Sequence, residues 1–153
     1  MTLNQSKINF LIFTLLVIIG LMSCKEKKDE ISNVNEVEEY VKTESGLKYK
    51  VLREGNGIKA RNGDFVLLFE TTSYRNGTEL YSNENSGNPI KVQLGANQVT
   101  KGVEEGLTGM RSDEIRQLIV PNYLAKREVY PDNVSPDSTL LIKLIAEKVI
   151  RTE

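Results

Sequence analysis

One stretch limits the folds open to this chain more than any other. Residues 98–110 read QVTKGVEEGLTGM, and Val99, Val103, Leu107 and Met110 recur there at helical spacing. From Gly46 to the C-terminal end the other apolar segments follow a strand pattern. The helical stretch also carries Gly102, Gly106 and Gly109. An interior glycine costs a helix about 1 kcal/mol relative to alanine. A helix of about three turns cannot cover a flat sheet of this size unless the sheet curls around it. Missing side chains at 102 and 106 would let neighbouring strands approach one side of the helix. Gly109 reads as a C-terminal cap.

The strand segments stand in order. LKYKVL (47–52) alternates Leu47, Tyr49 and Val51 against lysine. FVLLFETTSY (65–74) is apolar first and polar later, and RNG (75–77) carries the Asn-Gly hairpin signal before TELYS (78–82). IKVQL (90–94) sets Ile90, Val92 and Leu94 inward, and EIRQLIV (114–120) is a further strand. Residues 121–138 form a long irregular loop holding three of the four prolines. TLLIKLIAEKVI (139–150) is apolar on both faces at first, which places it centrally. The pattern is α+β, with five to six mainly antiparallel strands and one short helix.

The N-terminal part is of another kind. Ile8–Met22 runs without a charge after Lys7, too short for the roughly 20 residues of a spanning helix. It is the length of a signal-peptide apolar region. It closes in LMSC, where Leu21, Ser23 and Cys24 resemble a bacterial lipobox. Residues 1–23 are therefore expected to be a lipoprotein signal peptide, with Cys24 the site of lipid attachment, palmitate included. Several acyl chains would hold the protein stably on a membrane. Residues 24–45 are charged and apolar-poor, and read as the acylated cysteine and a tether. Residues 46–151 are the domain. The charged KEKKDE run at 25–30 fits a surface-sorting signal or ordinary solvating charge. The location expected is the cell envelope: an outer-membrane lipoprotein of a Gram-negative bacterium, facing periplasm or surface.

Composition removes whole classes of function. There is no histidine, so the commonest general base and metal ligand is missing. One cysteine precludes an intrachain disulfide or a cysteine-rich zinc site. Twenty Lys+Arg against 21 Asp+Glu leave no basic stripe for nucleic acid. No cofactor and no metal are expected, and the domain is expected to be a monomer.

Residues 46–150 resemble the FKBP-type peptidyl-prolyl cis-trans isomerases. The resemblance rests on an ordered set: GLKYKVLREGNGIKARNGDFVLLFE, NGTELYS, LGANQVTKGVEEGLTGM, IVPNYLA and VSPDSTLLIKLIAEKV. It implies a half-open antiparallel sheet wrapped around one short helix. It also implies prolyl isomerisation, with proline-containing exported polypeptides as partners. That reaction asks for no nucleophile or metal. Amide resonance sets a barrier of about 18–20 kcal/mol to C–N rotation. An apolar pocket that strips water from the amide favours the less polarised, twisted transition state.

The resemblance also maps a pocket, and its aromatic residues are replaced. Val103 stands where the family carries the tryptophan of the pocket floor, and Glu70 where it carries a tyrosine. Leu80 and Tyr81 replace a Phe-Asp pair, and Ile90 and Ile142 replace phenylalanines. Ala125, Lys126 and Arg127 fall on an Ala-Tyr-Gly. Val99 matches, and Thr100 holds the position whose backbone N–H the family turns to ligand. The pocket candidates are thus Glu70, Leu80, Tyr81, Ile90, Val99, Thr100, Val103, Lys126 and Ile142. None is an acid, base or nucleophile of catalysis. Glu70 and Lys126 either pair or reach solvent. Tyr74, Tyr81, Tyr123 and Tyr130 either refill part of the lost ring area or serve ordinary sheet and loop packing, the reading preferred for Tyr123. A weakened isomerase is the expected function, and a non-catalytic client- or partner-binding lipoprotein, as in a gliding or secretion complex, is the alternative.

Overall fold

The structure is a computed structural model, and it describes residues 40–152. The expected signal peptide, Cys24 and most of the tether lie outside the described residues. Among the described residues, seven strands and one helix follow in order: β1 (Val41–Lys42), β2 (Lys48–Arg53), β3 (Phe65–Tyr74), β4 (Glu79–Ser82), β5 (Ile90–Gln93), α1 (Lys101–Leu107), β6 (Glu114–Val120) and β7 (Leu140–Ile150). Short 3₁₀ turns occupy Glu84–Ser86 and Asn122–Leu124. The pairings are antiparallel, in the order β1-β2-β6-β7-β3-β4, with β5 also against β3. The sheet has free edges and does not close.

Five to six strands were expected and seven are present. The additional one is β1, two residues read as tether, whose Val41 and Lys42 pair with Tyr49 and Lys48. No apolar alternation marks it, because backbone pairing at a sheet edge needs none. β7 is central, between β6 and β3, as its two apolar faces require. Its buried residues Leu140, Ile142, Leu144 and Ala146 face the core with Leu118 and Val120 of β6 and Val66 and Leu68 of β3. Val92 and Leu94 are buried as expected, but Ile90 is 37% exposed, because it stands at the end of β5 beside the open face.

The helix spans seven residues, two turns rather than three. Thr108 is extended and Gly109 is left-handed at φ 80°, which stops it early. Its glycines face β6. A Cβ at Gly102 would sit 2.5 Å from Val120 Cγ1, and one at Gly106 would overlap Leu118 Cδ1. The helix thus lies against β6 with backbone against side chain. Arg116 of β6 fastens the helix end. Its Nη1 donates to Gly106 O at 2.9 Å, and Nη2 meets Glu114 Oε1 at 2.5 Å. Both residues are buried, and the guanidinium stacks 4.8 Å from the Tyr49 ring centre.

The 75–78 turn closes the expected hairpin. Tyr74 N donates to Thr78 O at 2.9 Å and Gly77 takes φ 92°. Pairing then slips by one residue between Thr72–Tyr81 and Ser73–Glu79, leaving Leu80 as the extra residue of a bulge.

Candidate functional site

A cleft of about 920 Å³ opens between the β3–β4 hairpin, β5, the start of α1 and the 121–138 loop. Val103 forms its floor and is 3% exposed. Half-buried Val99 and Leu80 pack on the core beside it. Tyr81, Ile90 and Val129 stand exposed along its walls. Glu70, Thr72, Thr100 and Arg127 supply polar atoms.

Of the expected positions, Glu70, Leu80, Tyr81, Ile90, Val99, Thr100, Val103 and Lys126 line this one cleft. Ile142 does not. It is fully buried, paired in register with Thr72 on one side and Leu118 on the other. Its side chain belongs to the core beneath the cleft, since the central strand has neighbours on both sides.

Glu70 sits where β3 changes partners, from β5 at 65–68 to β4 at 71–73. Asn83 bridges that gap. Its Oδ1 accepts from Glu70 N at 2.6 Å, its own N donates to Glu70 O at 3.1 Å, and Nδ2 donates to Leu68 O at 3.3 Å. An amide side chain here does the work of a strand. The Glu70 carboxylate accepts from Thr72 Oγ1 at 2.6 Å. Burial pushes its pKa above the usual carboxylate value, and the Thr72 bond and the Arg127 charge offset this only in part.

The cation that acts on Glu70 is therefore Arg127. Lys126 lines the cleft but is exposed. Arg127 is half-buried, and its Nε is a buried donor without a hydrogen-bond partner. Thr100 precedes α1 in the capping position yet makes no side-chain cap, and its buried Oγ1 is also unpartnered.

The tyrosines divide. Tyr81 stands on the cleft wall. Tyr74 instead ties the 121–138 loop down, donating from its hydroxyl to Asn133 O at 3.0 Å and accepting from Ser135 N at 2.9 Å. Tyr123 donates to Ser45 O at 2.9 Å on another part of the surface, and Tyr130 is not among the cleft residues. Sequence reasoning missed Thr72, Asn83 and Val134 with its loop neighbours. Thr72 was legible in principle, because residues two apart on a strand share a face. Asn83 was not, since no local pattern marks an amide that replaces a strand.

Residues 56–144 match the family described as FKBP-type peptidyl-prolyl cis-trans isomerase. The FK506-binding protein 2 of Yarrowia lipolytica is 35% identical over 105 residues, which is 68% of this chain and 73% of that protein. The FK506-binding protein of Streptomyces anulatus is 34% identical, over 62% of this chain and 79% of that one. Human FKBP10 is 40% identical over 82 residues, 54% of this chain, and the match spans only 14% of that longer protein. Among solved structures, AtFKBP13 superposes with a TM-score of 0.63 at 26% identity, covering 71% of this chain and 97% of that one. FkpA from Escherichia coli gives a TM-score of 0.65 at 24% identity, covering 74% of this chain and 53% of that one, a likeness of fold. By matched residues, by identity and by fold, this chain belongs to the FKBP-type peptidyl-prolyl cis-trans isomerase family.

Proposed function

We propose that the protein is a weak prolyl isomerase of the cell envelope, acting on exported polypeptides from an outer membrane to which acylated Cys24 holds it. The cleft above Val103 carries this reading. It offers a proline ring an apolar floor of valine and leucine, where desolvation favours the twisted amide. Each buried aromatic contributes about 150–250 Å² of contact, so a cradle without rings grips the twisted state less well. Glu70 and Arg127 add polar groups that keep water near the site.

The test is a protease-coupled assay of a proline tetrapeptide on the chain from Lys25 onward. Turnover should exceed buffer and stay well below that of relatives with aromatic pockets. A rate equal to buffer, from protein with its sheet spectrum intact, would favour the binding role alone. Val103→Trp, Lys126→Tyr and Glu70→Tyr together should raise the rate. No gain would reject the pocket account. Anchoring is read separately: Cys24→Ser should abolish incorporation of labelled palmitate and release the protein from the membrane fraction.

A further inference from the structure

Buried donors rarely go unpaired, because each costs about 1–3 kcal/mol. Among the described residues two buried side-chain atoms lack a partner, Arg127 Nε and Thr100 Oγ1. Both residues line the same cleft. Other buried polar groups are bonded: Asn83 to Leu68 O, and Arg116 to Glu114 and Gly106 O. Glu70 Oε1 accepts from Thr72 at 2.6 Å, and no hydrogen bond joins Glu70 to Arg127 Nε or Thr100 Oγ1.

The residues that carry the unmatched donors line the cleft together with Val99 and Val103. A ligand that fills this cleft well must bring an apolar ring for the floor and an acceptor for the wall. We propose that the cleft selects prolyl segments whose residue before proline carries a carboxylate, held by Arg127 Nε with the Thr100 hydroxyl beside it. The assignment rests on the isomerase reading only in placing the proline ring on the floor.

The local charges favour a carboxylate over a neutral acceptor or a cation. Arg127 and exposed Lys126 are the cations of the cleft, and Glu70 and exposed Glu128 its anions. Glu70 is engaged by Thr72 and makes no hydrogen bond to Arg127 Nε, and Glu128 is exposed. A bond between ionised partners is about twice as strong as a neutral one. A lysine before proline would instead meet the two cations.

The experiment uses the full chain in detergent micelles and four peptide 4-nitroanilides: Ala-Glu-Pro-Phe, Ala-Gln-Pro-Phe, Ala-Leu-Pro-Phe and Ala-Lys-Pro-Phe. Isomerisation rates and affinities by fluorescence titration are both read. The glutamate peptide should lead the leucine and lysine peptides by about tenfold, the effect of one charge-assisted bond, with glutamine between. Arg127→Met should erase the lead, Arg127→Lys should keep part of it, and added salt should narrow it. Equal ranking of the four, or a lead that survives Arg127→Met, overturns the assignment. If the affinities rank as expected without turnover, the isomerase reading fails and the selectivity stands. Turnover without a glutamate lead is the reverse result.

Discussion

Glu70 shows what one residue does to the balance of this domain. Burial raises its pKa, and the Thr72 hydroxyl and Arg127 recover only part of the cost. A carboxyl whose folded pKa exceeds its unfolded one binds its proton more tightly in the fold. Stability is then fullest below the unfolded pKa and is lost as pH rises through the folded one. Glu70→Gln keeps an acceptor for Thr72 without the charge. Its urea midpoint should exceed the parent's at about pH 7.5, and the gain should vanish near pH 4. A gain that does not change with pH would show that charge is not the cause. Glu84 runs the other way. Burial pushes it up, but Lys143 Nζ at 2.8 Å and Thr71 Oγ1 at 2.6 Å outweigh burial and leave it lowered. Its contribution is present above the ordinary carboxylate range and fades as pH falls. Lys143→Met should therefore flatten the acid limb of the stability profile.

At the scale of the element, the seam between α1 and β6 decides whether the cleft has a floor. Gly106 is a place for Leu118, so Gly106→Ala gains helix propensity of about 1 kcal/mol and loses more to overpacking. A net destabilisation of about 1–2 kcal/mol is expected from thermal melts. Stabilisation would mean that β6 can move away. Arg116 holds the other end of the seam through Gly106 O and Glu114. Arg116→Met strands a buried carboxylate and should cost about 3–5 kcal/mol by denaturant titration. Adding Glu114→Gln should return part of that loss, because the stranded charge is then gone. The 121–138 loop depends on elements in the same way. Tyr74 and Asn133, which donates to Leu80 O at 3.2 Å, tie it to the hairpin.

Among the described residues, the whole domain is an open sheet that carries one short helix and a cleft beside it. The fold is that of the family, and among the described residues Tyr81 is the one aromatic lining the cleft, beside Glu70, Lys126, Arg127 and Glu128. FK506, for which several relatives are named, should therefore bind weakly. Titration calorimetry should give a Kd above the micromolar range, since the macrocycle would lack its ring cradle. Submicromolar binding would show that Tyr81 and the loop rebuild one.

What the residues determined alone was the inventory: which segments are strands, where the hairpin turns, which strand is central, and that one glycine-bearing helix lies against the sheet. These follow from local periodicity and turn chemistry, and β3 and β6 span the segments read as strands, 65–74 and 114–120. Eight cleft positions were also legible, through the resemblance. Tertiary structure decided the rest. It put Ile142 in the core, bonded Glu70 to Thr72 within the field of Arg127 rather than of Lys126, set Asn83 in a gap between strands and added β1 at the edge. Each of these depends on the distance between segments far apart in the chain. Local pattern records the face a residue takes, and only the packing of segments distant in sequence records which neighbour it meets there.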